Sequence, residues 1–181
     1  MCYHPFMPKE SNLAYIDGQN FHLGTTKNKW KVDHRKFRIY LKEKYNVDEA
    51  YYCLGYVAEE QQDLYNSLQK SGFIVIFREH SAALVGNKKG NVDTEIVFEV
   101  MKALMERKDF DKILLVSGDG DYKKIVDFLV QKKKLKKILF PCKKFSSSLY
   151  DELGSEYFDC LETPTIKSKI VFKHRQKKRA P

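Results

Sequence analysis

The feature that most constrains the fold is a repeated alternation of short apolar runs with longer amphipathic ones. Leu13–Asp17, Asp48–Val57, Phe73–Arg78, Lys112–Val116 and Lys136–Pro141 are short and rich in branched or aromatic residues, which predicts strands. The spacing of Phe37, Tyr40, Leu41 and Tyr45 predicts a helix over His34–Tyr45. Glu59–Ser71 predicts another, stopped by Gly72. Val92–Arg107 has the clearest stripe: Ile96, Val97, Val100, Met101 and Leu104. Asp121–Lys133 predicts a further helix and Ser146–Leu153 a short one, with Ser81–Gly90 as a loop and Tyr157–Leu161 as a last edge strand. Crossover helices of this length join parallel strands, and right-handed crossovers cover both sheet faces. The expected architecture is an α/β fold: a three-layer α/β/α sandwich around a mostly parallel, Rossmann-like sheet.

The chain has 181 residues, enough for one domain with a real core. No apolar stretch approaches the roughly 20 residues of a membrane helix, and Met1–Glu10 lacks an apolar signal region, so a cytoplasmic location is expected. Cys2, Cys53, Cys142 and Cys160 form no C-x-x-C pair, which argues against structural zinc and reads as free thiols. Net charge is +9, and it is uneven. Lys167, Lys169, Lys173, Arg175, Lys177, Lys178 and Arg179 lie after the last acid, Glu162, and carry all but two of those charges. This divides the chain into a domain, 1–162, and a basic tail, 163–181, with Thr163–Thr165 as linker. The tail suits a polyanion such as nucleic acid, or is simply a solvated terminus.

Acids stand where strands run out. Asp17 ends the first strand and precedes Gly18-Gln19-Asn20. Ser117-Gly118-Asp119-Gly120-Asp121 follows Ile113–Val116. Asp93 opens the strongest helix, with Glu95 and Glu99 further along it. Each has an ordinary alternative: a turn for Asp17, helix-dipole complementation for Asp93, a helix cap for Asp121, a solvated face for Glu99. Parallel strands, however, open at their carboxyl ends onto one crevice. Two carboxylates about 5 Å apart repel by roughly 3 kcal/mol at an effective dielectric of 20. Converging acids therefore imply a neutralising cation or a shared proton, and oxygen ligands suit Mg²⁺ or Mn²⁺ as the cation. Asn20 and Ser117 are placed to support the carboxylates or a phosphate. No Ser–His–Asp set or Walker loop competes, and the five histidines show no i, i+4 pairing.

These residues, in this order, resemble the NYN family, relatives of the PIN-domain nucleases. The first hallmark is similar to Tyr15-Ile16-Asp17-Gly18-Gln19-Asn20, and the second to Lys89-Gly90-Asn91-Val92-Asp93. The strand-four motif resembles Ser117-Gly118-Asp119-Gly120-Asp121-Tyr122, and the closing one Ser148-Leu149 with Tyr157-Phe158-Asp159. The resemblance covers about residues 11–162. It implies a PIN-like sandwich and metal-dependent ribonuclease chemistry. Asp17, Asp93, Asp119 and Asp121 are then expected as catalytic metal ligands, with Glu99, a glutamate where aspartate is commoner, as a weaker one.

The expected function is an endoribonuclease that uses Mg²⁺ or Mn²⁺ to hydrolyse RNA phosphodiesters. Lys88, Lys89, Lys123 and Lys124 are expected to grip RNA at the mouth, and Lys173, Arg175, Lys177, Lys178 and Arg179 to add affinity from the tail. Self-association into a homo-oligomer is left open. One rival is an RNA-binding or regulatory module of the same family without turnover. Another is a haloacid-dehalogenase-type phosphatase, to whose acidic motif Gly118-Asp119-Gly120-Asp121 is similar. That class needs a second aspartate two residues after the nucleophile, where this chain has Gln19.

Overall fold

The computed structural model describes residues 10–55, 57–78 and 92–173. Six strands form one all-parallel sheet: β1 (Asn12–Asp17), β2 (Val47–Leu54), β3 (Ile74–Phe77), β4 (Lys112–Val116), β5 (Leu135–Phe140) and β6 (Phe158–Cys160). Their order is β3-β2-β1-β4-β5-β6. The helices are α1 (Gly18–Thr26), α2 (His34–Tyr45), α3 (Gln62–Lys70), α4 (Val92–Glu106), α5 (Lys123–Gln131) and α6 (Pro164–Ile170). The sheet is built outward in two directions from β1 and β4, so the topological switch point lies between these two central strands. In such sheets the crevice for ligands opens there.

All six residues of β1 are buried, as a strand covered on both faces must be. Their alternation sorts the core into two layers. Leu13 and Tyr15 point, with Ile113 and Leu115, towards Ile96 and Val100 of α4 and Val126 and Leu129 of α5. Ala14 and Ile16 point, with Leu114 and Val116, towards Phe21, Phe37, Leu41 and Leu68 of α1, α2 and α3. Local signals set the helix ends. The Asp33 carboxylate accepts from the Lys36 amide to start α2, and Asn46 ends it in the left-handed region at φ 52°.

Four segments differ from the sequence expectation. Gly18–Thr26, where the sequence predicts only a turn at Asp17–Asn20, is helix α1. Its composition of Gly, Thr and His gives little helical signal, but Asp17 caps it and Phe21 buries its inner face. Gly18 is required there: a Cβ would sit 2.7 Å from the Cys53 carbonyl oxygen. The helix expected from Asp121 begins as a 3₁₀ turn, Gly120–Tyr122, before α5. Ser146–Leu153 forms no α-helix; 3₁₀ turns at Lys143–Phe145 and Ser148–Tyr150 take its place. Finally, Pro164–Ile170, expected as part of the linker and the start of the basic tail, fold as α6, which packs against α2 with Ile170 fully buried, so the folded unit runs past residue 162. Lys167 lies 5.1 Å from the Trp30 ring, which puts one tail cation into packing. The expected loop 81–90 lies outside the described residues. Among the described residues, no helix is long and apolar enough to cross a membrane.

Candidate active site

Asp17 ends β1 at the switch point and is only 4% exposed. One carboxylate oxygen accepts from the Asn20 amide (2.9 Å) and the other from the Tyr122 hydroxyl (3.1 Å). Burial raises its pKa to about 6, and the nearby charges of Asp93 and Asp119 push the same way against these two hydrogen bonds. Tyr122 is completely buried. Its phenol is pushed well above its ordinary range by burial, then by the Asp17 charge and a hydrogen bond towards Asp93. The hydroxyl therefore links the first strand's carboxylate to that of α4.

In front of this link Asp93, Asp119 and Asp121 converge. One carboxylate oxygen from each lies within 4.8 Å of the others. Asp93 comes from the first turn of α4, and Asp119 and Asp121 from the turn after β4. The exposure rises outward: Asp93 and Asp119 are half-buried and Asp121 is exposed. Such a donor set is all oxygen and all anionic, which fits a hard dication of the Mg²⁺ or Mn²⁺ type and suits zinc poorly.

The turn carrying Asp119 and Asp121 is held from several sides. Asp119 caps it by accepting from the Asp121 amide (3.1 Å). The buried Ser117 hydroxyl accepts from the Asp119 amide (3.1 Å). Asn20 reaches across from α1, its side-chain oxygen accepting from the Gly118 amide (2.9 Å). The Tyr150 hydroxyl donates to the Asp119 carbonyl (2.6 Å). The Ser147 amide donates to the Gly118 carbonyl (2.9 Å), which ties the turn to the 3₁₀ segment above it.

The expected residues are distributed unequally around this centre. Asp93, Asp119 and Asp121 meet. Asp17 lies behind them, joined through Tyr122 and outside the trio. Glu99 is also outside it. Six residues along a helix turn through about 240° from Asp93, and the Glu99 backbone carbonyl accepts from Tyr15 in the core (3.3 Å). Asn20 and Ser117 brace the turn through the contacts above. Lys123 is bound to Asp127, one helical turn on, at 2.6 Å, so its charge is already engaged. Lys124 and Lys173 are exposed. Lys88, Lys89, Arg175, Lys177, Lys178 and Arg179 lie outside the described residues. Tyr122 and Tyr150 had no role assigned from sequence. Tyr122 stood at the end of a motif, but nothing in its spacing showed that its hydroxyl would reach Asp17.

The model of the NYN domain family matches residues 13–159, and it spans every element from β1 to β6. The chain belongs to the NYN domain family. It is 28% identical over 131 residues to the low amplitude and bright protein LabA of Synechococcus elongatus, covering 67% of this chain and 69% of that one. A crystal structure of a protein of unknown function from Vibrio parahaemolyticus has a similar fold: the TM-score is 0.69, with 91% of this chain and 97% of that one covered at 21% identity. At that identity the likeness speaks for the α/β/α architecture alone. The NYN motifs end at residue 159, whereas α6 is part of the same packed unit.

Proposed function

We propose that this NYN protein is a metal-dependent endoribonuclease whose metal is held by Asp93, Asp119 and Asp121. The observation that carries the reading is the convergence of these three carboxylates at the switch point, braced by hydrogen bonds from two other elements. A bound Mg²⁺ or Mn²⁺ supplies an acidified water and neutralises charge on the phosphate. The chain's own groups do the rest. Asp17 and Tyr122 fix the position of the Asp93 carboxylate from behind. Asn20 and Ser117 hold the strand-four turn in the one shape that aims Asp119 and Asp121 at a common point. Exposed Asp121 faces the side from which RNA arrives. Lys124 and Lys173, with the basic residues beyond, add sequence-independent affinity for phosphates.

The phosphatase alternative loses ground. Its nucleophile would be Asp17, yet both Asp17 oxygens are already hydrogen-bonded and the side chain is 4% exposed. The test is incubation of the full chain with single-stranded and structured RNAs in Mg²⁺, Mn²⁺ or EDTA, with an Asp119→Asn preparation alongside. The expected result is cleavage that needs metal and is lost in the variant. Metal-stimulated cleavage that is equal in both proteins would overturn the site. No cleavage with RNA still bound would favour the binding module.

A further inference from the structure

Beside the carboxylate centre, on the far side of the strand-four turn, is a small cleft of about 120 Å³. It is lined by Asn20, Leu23, Gly24, Lys27, Gly118, Pro141, Cys142 and Phe145. Two of these also brace the candidate site: Asn20 and Gly118 are hydrogen-bonded to each other, and Asp119 is the next residue along. Phe145 rises from the 3₁₀ turn Lys143–Phe145 and is 45% exposed. Nearly half of the Phe145 surface is thus open to a ligand. Leu23, 42% exposed, adds apolar surface to the cleft.

What surrounds the ring is cationic. The Lys27 ammonium lies 5.0 Å from its centroid and that of Lys144 lies 5.9 Å away. Lys143 is the residue before Lys144. Among the described residues none of these three lysines forms an ion pair, unlike Lys123 on the other side of the turn. The acid against this segment, Glu162, is taken up by backbone and amide donors: it accepts from the Lys143 amide (2.9 Å) and from Asn28 (3.1 Å). An exposed ring with unpaired lysines at its faces is what an unpaired nucleic-acid strand recognises. A base that stacks on the ring displaces an ammonium group lying over it, and the flanking phosphates take up the displaced lysines. The bases of a duplex are stacked inside and cannot do this.

We infer that Phe145, flanked by Lys27 and Lys144, is a stacking platform for an unpaired base of an RNA strand that runs on to the carboxylate centre. The inference rests on the nuclease reading for where the strand goes, but not for the platform's affinity. The platform is coupled to the centre by short links. The Ser147 amide holds the Gly118 carbonyl, and a Cβ at Gly118 would lie 3.2 Å from the Ser146 Cα. The base therefore docks against the same turn that presents Asp119 and Asp121. The platform is a specificity-determining element: it selects unpaired RNA and sets the position of the cut relative to the stacked base.

The experiment measures binding of a fluorescein-labelled oligoadenylate by the full chain in Mg²⁺, by anisotropy, in an Asp121→Asn background so that no strand is cut. The same oligomer annealed to its complement is the control. Phe145→Ala is expected to weaken single-strand binding by roughly five- to hundred-fold and leave duplex binding unchanged, with Phe145→Trp restoring it. Lys27→Ala with Lys144→Ala is expected to make the log–log salt dependence shallower by about 1.4. Circular dichroism checks folding, which a half-exposed ring should not affect. Equal losses on both substrates, or none on either, would overturn the platform. So would a change of oligomeric state on sedimentation without a change in single-strand binding, which would make the patch a contact between protein copies. If the parent chain cuts no RNA but Phe145→Ala still loses the single strand, the nuclease reading fails and the platform stands. If the parent cuts and Phe145→Ala behaves like it, the platform fails alone.

Discussion

At the N-terminal edge of the sheet Glu10 is paired with Lys112 and Lys136, and Glu49 and Asp109 share Arg107; at the opposite edge Asp93, Asp119 and Asp121 face one another. The two groups of acids use the same side-chain chemistry on the same scaffold. At the first edge the neighbours are cations. Burial alone would raise Glu10, but hydrogen bonds from Lys136, Asn12 and Lys112 outweigh it and hold its pKa below the usual range, and Arg107 does the same for Glu49. At the second edge Asp17, behind the trio, is pushed up to about 6 by burial and by its acidic neighbours. The first edge closes the bottom of the sandwich. The second stores repulsion that a cation relieves. Four measurements can break or sharpen this contrast.

The largest effect is on cleavage. Asp119→Asn and Asp121→Asn are each expected to lower it by at least about a hundred-fold, since loss of a metal ligand forfeits several kcal/mol of charge stabilisation. Arg107→Ala at the other edge should leave the rate per folded molecule unchanged. A steady-state assay on the three variants at matched folded concentration checks this, and comparable losses at both edges would break the contrast.

How far the sequence showed this arrangement follows from what each signal is made of. The strands, their parallel direction and the end at which the crevice opens were legible, because Ile113–Val116 and Leu13–Asp17 are apolar runs that end in polar turns, and parallel strands share one open end. The strand order was not, because pairing between distant strands leaves no local pattern. Helix α2 was legible to the residue from its four-residue core stripe, and the structure adds the Asp33 cap and the left-handed Asn46 at its ends. Helix α1 was not, because its stability comes from Asp17 capping and from Phe21 burial rather than from its own composition. The start of α6 was hidden by its lysines, which look like a tail until Ile170 is seen against α2. At the site, the convergence of Asp93 with Asp119 and Asp121 followed from topology. The retreat of Asp17 behind Tyr122 did not, because a rotamer and a buried hydroxyl decide it, and neither has a period in sequence.

The second effect is on stability against pH in EDTA. The folded pKa of Asp17, about 6, lies above the ordinary aspartate value near 4. The native state therefore binds more protons than the unfolded state between these values, and stability falls as pH rises through that window. The loss from this one group is about 3 kcal/mol, complete above pH ~6. Asp17→Asn should flatten this window and be the more stable protein at pH 7. Denaturant unfolding of both proteins at a series of pH values isolates the term. If the variant loses stability equally at every pH, the carboxylate's hydrogen bonds outweigh its charge and Asp17 is a plain cap.

The third is structural. Arg107 joins Glu49, Asp109 and the Tyr51 hydroxyl through four hydrogen bonds of 2.7–2.9 Å to carboxylates and one of 2.9 Å to the phenol. Its guanidinium is partly exposed, so the charge contribution is screened. Arg107→Ala should cost about 1–2 kcal/mol in urea unfolding, more than a single surface pair. A cost within error of zero would mean that solvent already satisfies this edge.

The smallest effect has the most telling sign. Asp121 is exposed, and one of its carboxylate oxygens lies within 4.8 Å of those of Asp93 and Asp119. In EDTA, Asp121→Asn removes one unfavourable charge and should stabilise the fold by up to about 1 kcal/mol, since solvent screens most of the repulsion. Glu49→Gln, the equivalent neutralisation at the other edge, should destabilise, because it removes one of the two carboxylates that Arg107 holds. Adding Mn²⁺ should then reverse the order at the C-terminal edge. The wild-type protein gains stability through binding, by RT ln(1 + [Mn²⁺]/Kd), while Asp121→Asn gains less. Thermal unfolding of wild type and both variants, with and without metal, gives all the signs at once. A variant that is less stable than wild type in EDTA would mean that Asp121 holds the strand-four turn together rather than waiting for a cation. The acids at both edges would then be structural, and the case for a metal centre would rest on Asp93 and Asp119 alone.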